Sequence, residues 1–496
     1  MTDRHRVVHP GPSGYPSAES LAKVPRVAVV GGGIAGLSAA TALAERGARV
    51  VVLEREEYLG GRVGGWSTVL QDGSPATMSR GFHAFFRQYY NLRNLLERSD
   101  PGLRRLHAVE DYPLIDDSGR IDGFKGLPQT PGLNALAFAL RSPTFRPREL
   151  LSLNAIAALP LMTVSVPGTY EQLDNIPAAQ FLRDINFPEA ARHLAFGVFS
   201  RSFFADPEEM SAAELAMMFH LYFLGSSEGL VFDVPTSPYP QALWDPLGKY
   251  LEGLGVEIRT GVSVSSVERG FSVDGEKFDA VVLAADVGGL KKLTGDLGTT
   301  AWREDVAALQ NTPPFLVHRV WLDKPVNADR PAFIGTGKMP PIDNISILER
   351  FEDEAAEWAS RTGGSVVELH AYAATDSEDD TREQLMSRMH EIYPETASAT
   401  VVAERSEWRD DCPMFGLGHF ARRPTVRTPE PGLVLAGDGI RIDLPVALME
   451  RAATTGLHAA NTLLAGWGVQ GHDIETVPVK GRFRVFEALG RLMPRP

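Results

Sequence analysis

The stretch that most restricts the fold lies at residues 26–54. The apolar run RVAVV at 26–30 leads into GGGIAG, and LSAATALAERG follows with small and apolar residues at helical spacing, stopped by Gly47. ARVVVLE then reads as a second buried strand. Strand, glycine turn, helix and strand within about thirty residues make a βαβ unit of the dinucleotide-binding kind. Gly31, Gly33 and Gly36 form G-x-G-x-x-G, and Glu54 ends the second strand. Gly31 permits the tight turn, Gly33 lets backbone N–H groups approach a pyrophosphate, and Gly36 lets helix and strand pack closely. Glu54 is placed to accept hydrogen bonds from ribose hydroxyls. Glycine turns alone are common; the strand before, the helix after and the acid beyond give this one its meaning.

The remaining sequence leaves this pattern and returns to it twice. Residues 1–24 have no apolar core and read as a flexible tail ahead of a first cofactor segment at 25–100. From 101 to 245 the chain reads as longer amphipathic helices rich in Phe, Leu and Met, the first part of a substrate domain. Strand-rich α/β sequence at 246–295, which includes Val262 and Val264, reads as the second cofactor segment. Residues 296–425 read as a strand-rich second part of the substrate domain, and 426–470 as the third cofactor segment. The fold class expected is therefore α/β: a discontinuous Rossmann-like dinucleotide-binding domain, made an FAD-binding domain by the resemblance described below, with an inserted mixed α+β substrate domain.

Composition narrows the function. A net charge of −14 argues against nucleic acid as a partner, since phosphates call for a basic surface. One cysteine, Cys412, allows no internal disulfide framework and no cysteine-rich metal site, so no metal is expected. The N-terminus lacks the hydrophobic run of a secretory signal. The most apolar stretch, residues 150–166, is interrupted by Ser152, Asn154 and Pro160 and is short for a membrane span; it reads as a buried or surface-greasy helix. These readings point to a cytoplasmic location.

Behind Glu54, the segment REEYLGGRVGGW resembles the flavin amine oxidase and carotenoid desaturase superfamily, where an acidic strand end runs into L-G-G-R. The resemblance implies FAD, with Gly61 among the glycines that let backbone pass the cofactor and Arg62 at its pyrophosphate. VLAGDGIRIDLPVALMERAATTGLHAANTLL, at 434–464, resembles the superfamily's second signature. Gly437 and Asp438 stand at a strand end, and a helix starting near Pro445 and Val446 would bring a partly positive N-terminus to the flavin's electron-rich edge. By resemblance Asp438 bonds the ribityl chain or pyrophosphate, and, in a looser match, Val262 and Val264 stand on an adenine-side strand. With no second glycine fingerprint in a strand–helix context, electrons are expected to enter from the substrate.

RGFHAFFRQYYNLRNLL at 80–96, VVELHAYA at 366–373 and SEWRDDCPMF at 406–415 are similar to the bacterial carotenoid ring-aromatising desaturase/methyltransferases of the isorenieratene synthase type. That resemblance implies a hydrophobic β-ring carotenoid substrate, intramolecular 1,2-methyl migration and an aromatic product ring. It also implies a non-covalently held flavin; the sequence leaves its electron acceptor open, since oxygen, a quinone or a carrier protein would each serve. The greasy sequence between Leu133 and Phe232 can line a substrate tunnel or simply form a core. His83 and Glu450 are the catalytic candidates; Arg80, Glu368, His370, Asp410, Asp411 and Asp443 also stand in relevant neighbourhoods. Glu368, His370 and Tyr372 share one strand face, which meets either a cavity or solvent. Cys412 is either a thioether site or a buried thiol. The basic, apolar C-terminal segment 471–496 reads either as a peripheral membrane anchor or as a helix packed on its own domain. Rival readings are an acyclic carotene desaturase, a flavin amine oxidase and a prenyl- or lipid-carrier protein of the same fold.

Overall fold

The computed structural model describes every residue except 1, 2, 4, 110, 196–202, 231 and 482–496. Five parallel strands form one sheet, in the order Glu257–Arg259, Arg49–Leu53, Arg26–Val30, Ala280–Leu283 and Leu433–Leu435. Their Val, Ala and Leu side chains are almost wholly inaccessible, as expected where both faces of a parallel sheet are covered. Because these strands come from three separate stretches of sequence, the Rossmann-like domain is discontinuous, and the substrate domain is inserted between its pieces.

The helix Ile34–Ala44, buried on every side, packs against the 19-residue helix Leu448–Gly466. They approach so closely at Gly456 that a Cβ there would fall 2.1 Å from the Ala35 carbonyl oxygen. The long helix of the third cofactor segment is thereby fastened to the helix that begins at the glycine turn.

A seven-stranded mixed sheet forms the second layer, in the order Val401–Arg409, Phe315–Leu322, Ser365–Ala371, Asn344–Ile347, Phe333–Gly337, Leu114–Asp116 and Ile121–Asp122. Its pairs are antiparallel apart from Phe333–Gly337 beside Leu114–Asp116. Val367, Leu369 and Ala371 face an apolar cluster that includes Leu385 and Met389 of the helix Glu378–Ile392. The alternate residues Glu368 and His370 point to the other face, toward the substrate side.

Several local expectations change. The described residues of 1–24 are not a loose tail. Val7–His9 pairs antiparallel with Ile474–Thr476, and the Asp3 carboxylate accepts hydrogen bonds from the Tyr90 hydroxyl at 2.8 Å and the Ser227 N–H at 2.9 Å. Its partners lie far along the chain, where local composition gives no sign of them. Within 150–166 the greasy helix shrinks to Leu159–Met162 because Pro160 cannot continue a helix begun before it. Among the described residues the α-helices between 101 and 245 are short: Leu133–Arg141 has nine residues, and the eight-residue Ala212–Phe219 runs on as a π-helical turn to Leu224. Val262 and Val264 lie in irregular backbone just past Glu257–Arg259, although the Val262 N–H still bonds the Glu54 carbonyl at 2.8 Å. Of the C-terminal segment, 482–496 lies outside the described residues. No described helix is long and apolar enough to cross a membrane.

Candidate active site

A cavity of about 770 Å³ runs between the two layers, within the range of small-molecule sites. One part of its lining is backbone and charge. Gly31 takes φ +110°, and a Cβ there would meet the Ala284 carbonyl oxygen at 2.4 Å, so the turn admits only glycine. Gly36 lies one turn into the helix, where a Cβ would sit 1.9 Å from the Gly31 carbonyl oxygen. The L-G-G-R loop is stitched directly to this turn: the Gly60 N–H donates to the Gly32 carbonyl at 2.8 Å, and Gly33 faces Gly61.

Glu54 is buried at the same end. Its carboxylate accepts from the Gly32 N–H at 2.6 Å and the Glu56 N–H at 2.8 Å, while burial raises its pKa. Val264 lines the cavity beside it. Arg62 pairs with Asp438 at 2.5 Å, Arg80 pairs with Asp411 at 2.5 Å, and all four line the cavity. Gly437, at φ +147°, is tied to the long helix through its N–H and the Thr455 hydroxyl at 3.0 Å. That helix begins at Leu448, slightly later than the sequence indicates. Ala447 supplies no side-chain cap, and Leu448, Met449 and Ala452 line the cavity. Free N–H groups at a helix start attract an electron-rich ligand edge.

Glycine turn, ribose-side acid, arginine and uncapped helix start therefore surround one space, and these residues fit a flavin dinucleotide. Gly36 alone among the expected cofactor residues stays off the wall, keeping the turn and helix in contact.

The rest of the lining is aromatic. Phe82 stacks on Phe333 with ring centres 4.5 Å apart, and Phe232 packs against Tyr112 at 4.8 Å. Phe204, Phe315 and Tyr372 form a second aromatic group, with Phe204 5.1 Å from Phe315 and 4.6 Å from Tyr372.

The two expected catalytic residues part company. His83 lines the cavity. Its Nδ1–H donates to the Gly81 carbonyl at 2.8 Å, and burial pushes its pKa down to about 4, so the ring is neutral at pH 7. Glu450 is not on the wall. It is buried in the long helix, where its carboxylate accepts from the Asn91 and Leu92 N–H groups at 2.9 and 3.0 Å. It thus caps the helix Tyr90–Glu97, although burial raises its pKa to about 8. An acid in the first turn of a signature helix reads as a site residue because sequence does not show which way it turns. Asp410 and Asp411 line the cavity, whereas Asp443 pairs with Arg441 away from it. Burial raises the Cys412 thiol to about 11, so it stays protonated at neutral pH.

Sequence reading missed Arg319, Asn344 and Glu352. Arg319 is buried in ion-paired contact with Glu368 at 2.7 Å, and Asn344 lies on the cavity wall. Period-2 alternation in residues 315–322 places Arg319 on the Glu368 side, but only strand pairing reveals them as direct neighbours.

Fold and site together define a flavin-dependent oxidoreductase. The sequence profile of flavin-containing amine oxidoreductases matches residues 34–464, and the chain belongs to that family. It is an FAD-dependent enzyme. A carotenoid phi-ring synthase of Streptomyces griseus is 54% identical over 99% of this chain and 97% of its own length. A carotenoid phi-ring synthase of Chlorobaculum tepidum is 26% identical over 94% of this chain and 92% of its own. Among solved structures, a putrescine oxidase shares the fold with a TM-score of 0.65, at 15% identity, covering 89% of this chain and 99% of that one.

Proposed function

We propose that this enzyme desaturates a β-ring carotenoid of the β-carotene type and turns the ring aromatic with a 1,2-methyl shift. The observation that carries the reading is the continuity of the flavin-fitting backbone with an aromatic wall in one cavity, and the 54%-identical carotenoid phi-ring synthase supports the substrate class.

Bound FAD supplies a hydride acceptor. The chain's own task is to hold the ring and keep water from the cation left when hydride departs. Phe82, Tyr112, Phe232 and Phe333 offer apolar faces that exclude water and attract positive charge. A methyl group then moves to the adjacent cationic carbon, and proton loss forms the double bond. A second oxidation completes the aromatic ring, so each ring loses four hydrogens and no carbon.

The reading extends to a bilayer source for the substrate. Leu140 is 67% exposed and Leu151 88% exposed, with Leu133, Leu136 and Ile156 also outward. Beneath Leu133–Arg141, Phe138 stacks on Phe124 at 4.9 Å, and Phe124 stacks on Tyr112 of the cavity wall at 4.3 Å. An apolar surface joined to the cavity by aromatic packing favours peripheral membrane contact on the cytoplasmic side. The flavin is held non-covalently in this reading, since a thiol that stays protonated is a poor nucleophile. Oxygen, a quinone or a carrier protein reoxidises it.

Expression in cells that accumulate β-carotene tests the reaction. Pigment four hydrogens lighter per modified ring is expected; unchanged β-carotene beside flavin-loaded protein would sink the ring-aromatising assignment.

A further inference from the structure

The strand Ser365–Ala371 and the residue after it carry a polar chain from the buried sheet to the cavity wall. Arg319 lies directly opposite Glu368 in the strand register, and Asn344 lies opposite His370. Arg319 reaches Glu368 Oε2 with Nε at 3.0 Å and Nη2 at 2.7 Å, while its remaining donors bond the Thr77 carbonyl and Ser79 hydroxyl. The other carboxylate oxygen, Oε1, is 2.9 Å from His370 Nε2. His370 Nδ1 is 2.8 Å from the Tyr372 hydroxyl, which also accepts from the Asn344 amide at 3.1 Å. Glu368 and His370 are buried, and Tyr372 lines the cavity.

This hydrogen-bond order fixes direction. Glu368 is held as a carboxylate; although burial opposes its charge, Arg319 and His370 outweigh that and bring it to about 2. The Glu368 carboxylate, 2.9 Å from Nε2 and nearer than the Phe82 N–H that approaches the same nitrogen at 3.4 Å, favours the proton on Nε2, leaving Nδ1 as acceptor for the Tyr372 O–H. A hydroxyl, an imidazole and a carboxylate in that sequence form the arrangement by which a weak acid is made to exchange protons. A buried Arg–Glu pair is weak evidence for stability alone, because desolvation offsets its attraction. His83, an imidazole on the cavity wall itself, is held down to about 4 and is a poor base at neutral pH.

We propose that Tyr372 is a catalytic residue that receives the proton lost from the oxidised ring and passes its own to His370. The inference rests on the carotenoid reading. Hydride leaves one ring carbon with its electron pair for the bound flavin. At a neighbouring carbon the C–H bond then breaks, and its pair stays as the new double bond. That proton forms a new O–H at Tyr372 as the original O–H proton transfers to His370 Nδ1. The resulting imidazolium keeps its Nε2–H on Glu368. Glu368 and Arg319 are positioning residues. Other titratable groups stand around this cluster: Asp343, whose carboxylate accepts from the Tyr372 N–H at 2.6 Å, Glu352, raised to about 7 by burial, His83 and Tyr239.

Two measurements test it. With wild type shown to convert β-carotene, Tyr372→Phe is expected to lower conversion by about 100-fold or more at undiminished flavin content, the scale of lost acid–base catalysis. Tyr372→Phe turning over within a few-fold of wild type would overturn the relay alone. Wild type that leaves the carotenoid unchanged would overturn the reading beneath it, and the relay with it. The second measurement needs no turnover: 15N NMR of histidine-labelled protein, with His370 assigned by His370→Gln. The expected tautomer has Nε2–H and an accepting Nδ1 whose resonance moves in Tyr372→Phe. An Nδ1–H tautomer donating to Tyr372 would overturn the proposal, since that nitrogen could not take the proton.

Discussion

The cofactor cradle and the aromatic wall enclose the same cavity but are built in opposite ways. The cradle is chiefly backbone, drawn from the neighbouring turns at Gly31–Gly33 and Gly60–Arg62, and is completed by the start of one helix. The wall is side chains brought together from Phe82, Tyr112, Phe232 and Phe333. Backbone approach tolerates almost no Cβ, so the cradle is restricted to glycine at Gly31 and Gly36. An aromatic wall tolerates any ring of suitable volume. Cradle lesions should therefore cost flavin, and wall lesions should cost carotenoid turnover with flavin retained.

The largest expected effect cuts across that division. Glu214, on the helix Ala212–Phe219, is buried between Arg423 at 3.3 Å and Arg451 at 2.8 Å, the latter on the long signature helix. Glu214→Ala leaves both guanidinium groups unpaired and should remove ~3–5 kcal/mol of stability. Urea unfolding checks it; a wild-type midpoint would show that the two regions are not joined there. Next is Gly36→Val, whose Cβ meets the Gly31 carbonyl oxygen. A cost of ~1–3 kcal/mol is expected, with purified protein losing its flavin absorbance. A yellow Gly36→Val protein would break the comparison on the cradle side.

Phe333→Ala sharpens it from the other side. Removing a ring stacked on Phe82 should forfeit ~1.5 kcal/mol of apolar contact, about tenfold in carotenoid turnover, at unchanged flavin content. Flavin loss in this variant would erase the distinction. The last effect, absent at pH 7, is in acid stability. His83 is held near 4, whereas an unperturbed histidine titrates near 6.5. Below pH ~6.5 the unfolded chain binds a proton there that the native state refuses, so stability falls as pH drops from about 6.5 toward 4. In His83→Gln, urea midpoints at pH 7 and pH 5 should differ less than in wild type.

The same contrast explains what could be read from sequence. The βαβ unit, Glu54, Arg62, Gly437 and Asp438 were legible because each sits beside a local pattern that few residue types can satisfy. Every one of these side chains or turns reaches the cavity. Glu450 misled because helix position gives spacing but not what the side chain meets, here the N–H groups of Asn91 and Leu92. The N-terminal segment misled for a related reason: its strand partner lies at Ile474–Thr476, at the far end of the chain. Glu368, His370 and Tyr372 showed their common face by alternation. Whether that face met solvent or protein depended on Arg319 and Asn344, which only the sheet register supplies.

The most direct test is to mix flavin-loaded enzyme with β-carotene in vesicles without oxygen, following flavin absorbance and then the pigment's mass. Bleaching of the flavin together with pigment depleted in hydrogen at its ring is the predicted result. Flavin that stays oxidised beside intact β-carotene, in protein that retains its cofactor, would contradict the account.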